Sequence, residues 1–384
     1  MIGVHVHLQE ILDSVGPVSP IDVALSDAVG CILAEDLIAE RDVPAARSAA
    51  TDGYAVDAAE LSEFDPTTLP VTHDIRIGDQ IPRLVPGTCV RVTSGAALPD
   101  EATAVVPPEL TDRGEATVVV QKSVPEGFGV REQGADVQVG APAIAIGTRL
   151  GARQLALAAA MGRGRLLVHP KPRVVILSIG DELLNPGSRI AQEGAVFDAN
   201  AHALTTAVAH AGGVPLRVGV VGDDRSMLRD VIEDQLVRAD VIITTGGLSE
   251  STTDTVKDVL ALLGTVRFDH VAMSPGRRHG FGTVGDEVPI FALPGHPVAA
   301  QVAYEIFVRP ALLLIGGHSE IFRPSVRAVA QAGFDGVPGR RAFIPAEVLG
   351  HPDEGYTLTP LGTASAWLPG LTDLATANAL AVVP

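Results

Sequence analysis

Cysteine is nearly absent from this chain of 384 residues, which has only Cys31 and Cys89. Two cysteines so placed give neither a disulfide framework nor a thiolate metal cluster, and they fit a reducing cytoplasm. Long apolar runs are missing too: the stretches 155–161 and 311–315 are too short to cross a bilayer. The first residues lack the basic region and apolar stretch of a secretory signal. Lysine is confined to Lys122, Lys171 and Lys257, no basic cluster exceeds three residues, and the net charge is −18. This balance argues against nucleic acid or an anionic membrane as the main partner. No GxSxG elbow and no GxxxxGK[ST] loop occurs, which argues against serine hydrolases and P-loop NTPases. The eleven histidines show no ligand-like spacing beyond His5 and His7, both on a predicted surface helix, so no zinc site is expected.

What is present is an ordered series of strands and turns. The length allows two to four domains, and 46% apolar against 19% charged residues is ample for sizeable cores. Three apolar segments each run straight into a tight turn: 174–179 into Gly180-Asp181-Glu182, 241–245 into Gly246-Gly247-Leu248-Ser249, and 290–293 into Pro294-Gly295-His296-Pro297. Helical patterns near 201–211, 227–238, 255–263 and 298–315 alternate with these and with a further strand at 216–221. The alternation predicts a parallel sheet with right-handed crossovers. Its turns then gather at the carboxyl edge, where backbone N–H groups hold phosphate-bearing ligands. Residues 60–145 instead alternate short strand-like pieces with Gly, Pro and Asp turns, as in a β-rich insertion. Pieces at 326–330, 341–348 and 355–361 predict a small β barrel or sandwich.

Taken singly, each turn has a plain structural reading. Asp181 and Glu182 either bind Mg²⁺ or a ligand's donors, or offset the dipole at a helix N-terminus. Gly246 and Gly247 permit close backbone approach, with Asp254 following. The loop Ser274-Pro275-Gly276-Arg277-Arg278 carries paired arginines suited to an oxyanion. The stretches around Asp52, Ser94 and Asp136 read equally well as ordinary turns. As a set, they point to a site for a large anionic small molecule.

In this order the segments resemble the MoeA-type molybdopterin molybdenumtransferases, the family that includes the gephyrin E domain. The resemblance runs through AEDLIAERDVPAARSAATDGYAV (34–56), VTSGAALPDEATAVVPPE (92–109), VREQGADVQVG (130–140), VVILSIGDELL (174–184), GAVFDANAHAL (194–204), TTGGLSESTTDTVKDVL (244–260), MSPGRRHGFG (273–282) and ALPGHPVAA (292–300). It implies a multidomain α/β plus β fold. Residues 1–39 form an N-terminal helix and linker packing with 141–166. Residues 40–140 form a β-rich lobe, 167–320 an α/β molybdopterin-binding domain with a parallel sheet, and 321–384 a C-terminal β barrel. It further implies molybdenum cofactor biosynthesis, by insertion of molybdate into adenylylated molybdopterin with release of AMP. Mg²⁺ would assist, in a cytoplasmic homodimer whose active site is shared across subunits, with an adenylyltransferase as partner protein.

Carried over motif by motif, Asp52, Asp136, Glu182 and Asp254 are the expected catalytic residues, with Glu182 and Asp254 as metal ligands. Ser94, Gly95, Gly180, Asp181, Asp223, Gly246, Gly247, Ser249, Pro275, Gly276, Arg277, Pro294 and Gly295 are expected to bind substrate. Arg277, Arg341 or its neighbour Arg340, and Ser365 would supply donors to molybdate. The chain departs from the family pattern on the anion loops. A usual K-P-G-K-P reads Ser274-Pro275-Gly276-Arg277-Arg278, an L-P-G-N-P-V-S reads Leu293-Pro294-Gly295-His296-Pro297-Val298-Ala299, and Glu250 enters the glycine turn. The alternative implied by these changes is a non-catalytic molybdopterin-binding or scaffold paralogue.

Overall fold

The computed structural model describes residues 1–190, 193–248, 255–285, 287–333, 336–362 and 369–384. The chain divides into two compact units. The larger contains Met1–Ala34, Gly147–Leu150 and Leu167–Pro384, and the smaller contains Glu35–Ile146 and Gly151–Leu166.

The larger unit is organised by six strands in the order Val214–Val221, Arg173–Ile179, Val241–Thr245, Val288–Leu293, Arg278–Val284 and Arg267–His270. The first four are parallel and the last two antiparallel. The antiparallel extension lies outside the expected parallel set, because Gly280 and Gly282 dilute the strand signal of 278–284. The central strands are continuous Val/Ile runs because both faces of the sheet are covered. On one face Val174, Ile176, Val241, Ile243, Phe291 and Leu293 pack against helices Val4–Asp13 and Asn200–His210 and the helical stretch from Pro297 to Ile315. On the other, Val175, Leu177, Ile179, Ile242, Ile290 and Ala292 meet helices Arg225–Leu236 and Thr255–Leu263. Each fully buried Val, Ile or Leu contributes about 1.5–3 kcal/mol. The apolar 297–315 stretch is thus a core element, and its middle turn, Tyr304–Val308, is π-helical.

In the first helix the buried positions are Val4, His7 and Ile11, spaced three and four apart. His7 therefore lies on the inner seam, contrary to the expected surface placement. The tail forms a five-stranded sheet around Arg341–His351, which pairs with Gly355–Pro360 and Ala379–Val383 and, in parallel, with Met273–Ser274.

The smaller unit is built on a five-stranded sheet ordered Ala104–Val106, Gly53–Val56, Cys89–Val92, Thr67–Ile75 and Thr117–Val120. Strand periodicity sorts its side chains: Ala55, Val90, Val92 and Val105 fill one core, and Tyr54, Val56, Cys89 and Val106 the other.

Candidate active site

Strand register decides which turns meet. Ser178 is aligned with Thr245, and Thr245 with Leu293, so the three central strands end at one level. The turns that follow are in direct contact. Gly246 has φ +89°, and a Cβ there would lie 2.2 Å from the Ile179 carbonyl oxygen, so only glycine fits. Gly295 lies against the Cα of Gly246. The Ser274–Arg278 loop joins from the side: a Cβ on Gly276 would meet Ala299 at 2.9 Å and Pro294 at 3.0 Å. Arg341 enters through backbone pairing, with Met273 as its register partner.

The acidic residues cluster at the same edge. The Asp181 and Asp223 carboxylates each accept the other residue's backbone N–H, at 3.1 and 3.4 Å. The Glu182 carboxylate folds back over Gly180. No helix starts here: a turn leads into the short strand Leu183–Leu184, paired with Val196–Phe197. The helix-dipole reading of Asp181 and Glu182 therefore falls. Helix capping is done instead by Asp224, which accepts the Met227 N–H at 2.8 Å.

Beneath the turns lies a buried polar network that the sequence reading missed. Asp198, 2% exposed, accepts the Ser178 hydroxyl at 2.9 Å and the Ala201 N–H at 3.0 Å, capping helix Asn200–His210. The Thr245 hydroxyl reaches Ser178 Oγ at 3.4 Å, and the Asn200 amide donates to the Gly295 carbonyl at 2.8 Å. All three turns are thereby tied to one carboxylate and its neighbour. The available signal was the polar endings of otherwise apolar strands, Ser178 and Thr244-Thr245. A second tie runs from the arginine loop. Arg278 donates to His270 Nε2 at 3.1 Å and to the Leu248 carbonyl at 3.4 Å. The buried His279 Nε2–H donates to the Gly276 carbonyl at 2.9 Å. Burial pushes the His279 imidazole down to about 4, and it also lowers that of His296 in the neighbouring loop.

The smaller unit holds its own group. Asp52 accepts the Ser94 N–H at 2.7 Å, Ser94 Oγ donates to the Ala50 carbonyl at 3.2 Å, and the Gly95 N–H reaches the Ala49 carbonyl at 2.7 Å. Asp136 is ion-paired with Arg131. Ser249, Asp254 and Ser365 lie outside the described residues.

The edge offers hard carboxylate oxygens, the donor type that Mg²⁺ takes, and exposed backbone for anionic groups. Among the described residues its carboxylates do not converge on a three-ligand cluster. A Mg²⁺ ion here would thus be held by one or two carboxylates together with ligand phosphates.

Comparison with known proteins converges on one family. Residues 2–162 match the model "MoeA N-terminal region (domain I and II)", and residues 175–313 match "Probable molybdopterin binding domain". A Mycobacterium tuberculosis protein named molybdopterin molybdenumtransferase 1 is 39% identical, covering 95% of this chain and 91% of its own. Molybdopterin molybdenumtransferase 2 of the same organism is 35% identical, covering 100% and 96%. The solved structure of a molybdopterin biosynthesis moeA protein from Pyrococcus horikoshii superposes with a TM-score of 0.79 at 26% identity, over 100% of this chain and 95% of that one.

Proposed function

This chain belongs to the MoeA family of molybdopterin molybdenumtransferases, and from that premise we propose that its sheet edge binds adenylylated molybdopterin and receives molybdate. The protein is a transferase of molybdenum cofactor biosynthesis that inserts the metal into molybdopterin. The observation that carries the assignment of the site is the common level of Ser178, Thr245 and Leu293, which brings three turns into contact at one edge.

Two anions must meet there, so the chain's own groups have to offset their repulsion. Backbone at Gly180, Gly246, Gly247 and Gly295 lines the groove for the pterin and pyrophosphate. Glu182, with Asp254, would hold Mg²⁺, and Asp181 and Asp223 fix each other and the turn around it. When bound, Mg²⁺ supplies neutralisation of phosphate charge and polarises the phosphoanhydride that releases AMP. Arg277, Arg341 and Ser365 orient molybdate as fixed donors. The active form is a cytoplasmic homodimer in which the β-rich lobe of one subunit, with its Asp52–Ser94 pair and Asp136, serves the sheet edge of the other. An adenylyltransferase hands over the substrate.

The test is AMP release by the purified chain given adenylylated molybdopterin, Mg²⁺ and molybdate. Turnover should fall at least about tenfold in Glu182→Gln, with substrate still bound. Tight binding by the wild-type protein with no AMP released would instead favour the non-catalytic scaffold reading, which the substituted loops motivate.

A further inference from the structure

Away from the sheet edge, His7 is 2% exposed and wedged against Phe307, edge-on at 5.0 Å, and His279 at 5.9 Å. Its Nδ1 atom is buried and has no hydrogen-bond partner. That atom lies 3.9 Å from Asp269 Oδ2. Glu10 lies three positions beyond His7, nearly one turn along the same helix face, and Asp269 stands on the edge strand Arg267–His270. One donor atom from each of the three residues lies within 4.8 Å of the other two, the only such group among the described residues. The two carboxylates are already bridged by a cation: Arg267 Nε donates to Asp269 Oδ2 at 2.6 Å, and the same guanidinium reaches Glu10.

We propose that His7, Glu10 and Asp269 form a binding site for one divalent transition-metal cation, for which Arg267 is the resident competitor. An imidazole with two carboxylates is the donor set of zinc-type ions, whereas Mg²⁺ and Ca²⁺ take oxygen alone. Burial lowers the His7 pKa, the direction that favours the neutral ring a metal ligand requires. Bonds of about 2.0–2.2 Å in a tetrahedral site set donors roughly 3.4 Å apart, so donors now up to 4.8 Å apart must close by up to about 1.4 Å. Glu10 is 42% exposed and can make that move once Arg267 swings out to solvent. The ion would fasten the first helix to the edge of the central sheet, joining segments more than 250 residues apart in the chain. No sequence spacing reports such a site, which is why the histidine pattern predicted none.

The test titrates the full-length protein with Zn²⁺ alone as probe, in saturating Mg²⁺ so that the sheet-edge carboxylates are occupied. Binding is read by calorimetry and by thermal unfolding. One Zn²⁺ per chain is expected, with affinity lowered about tenfold or more in Asp269→Asn and in Glu10→Gln. Arg267→Ala should bind Zn²⁺ more tightly than the wild type, and its lowered unfolding temperature should recover when Zn²⁺ is added. Wild-type affinity in Asp269→Asn, or no gain in Arg267→Ala, overturns the proposal. All three substitutions are at part-exposed or exposed side chains, so loss of folding does not obscure the outcome.

Discussion

The two sides of the candidate active site are made differently. At the strand ends the surface is backbone, held so closely that the turns exclude any side chain at Gly246. On the arginine loop the surface is side chain, and its position is set by bonds from Arg278 and His279. Backbone geometry tolerates no substitution at such contacts, whereas one cation can stand in for another. The departures from the family pattern spare the backbone: Gly180, Gly246, Gly247, Gly276 and Gly295 are kept, while side chains change, one lysine reading Ser274, the other Arg277 and the closing proline Arg278 on the arginine loop, with Glu250 and His296 entering the strand-end turns. A ligand site can thus be retuned through its side chains without disturbing the backbone contacts of its floor.

The largest expected effect falls on the floor. Gly246→Ala should destabilise by at least about 3 kcal/mol, from the strained φ and the overlap with Ile179. Misplacing the turn should also cut turnover about a hundredfold. Denaturant midpoints and AMP release measure the two. An alanine variant with wild-type values would erase the distinction between floor and rim.

The network beneath the floor comes next. Asp198→Ala removes a helix cap and strands the Ser178 hydroxyl, at a cost of about 2–4 kcal/mol in urea unfolding. His279, behind the arginine loop, gives a pH signature. Its folded-state value of about 4 lies below the 6.5 of the free side chain, so the unfolded chain binds more protons between them. Stability from this group is therefore complete above pH 6.5 and is lost as pH falls toward 4, by at most about 3 kcal/mol. His279→Gln, whose amide can still donate to Gly276, should flatten that part of the pH–stability profile. An unchanged slope would remove His279 from the account. The smallest effect is expected on the rim itself. Arg277→Ala should raise the KM for molybdate about tenfold, the loss of one charge-assisted hydrogen bond, and lower the unfolding temperature less than the floor and network substitutions do. A large drop in unfolding temperature would show that the rim, too, is structural.

Much of this fold was legible because the strands at 174–179, 241–245 and 290–293 are unbroken apolar runs closed by glycine or proline. Their order fixes a parallel sheet, and a parallel sheet fixes where the turns meet. Two things were hidden for a common reason: the Asp198 network and the burial of His7 both depend on contacts between distant segments. The antiparallel strands are local hairpins, hidden instead by the glycines at 280 and 282. Periodicity assigns a residue to a face, but it does not say what that face will meet. His7 shows the limit: it was expected on a surface helix, yet it shares the buried seam with Val4 and Ile11. The helix-dipole alternative for Asp181 and Glu182 failed differently, since a strand–turn–acid pattern precedes a short strand as readily as a helix.

Residues 270–273, just before the arginine loop, take partners from Ile2, at the start of the chain, and from residue 341, in its C-terminal part. The Ile2 N–H bonds to the His270 carbonyl and the Ala272 N–H to the Ile2 carbonyl, each at 2.8 Å, while the Arg341 N–H bonds to the Ala272 carbonyl at 2.9 Å. During synthesis, then, the strand ends of the groove can assemble once residue 300 has emerged, but the segment leading to Arg277 still awaits its partner at 341. A nascent chain stalled between those points would carry a formed floor and a rim still lacking its pairing with residue 341, and the ribosome, not the ligand, would set the order in which the two halves of the site are completed.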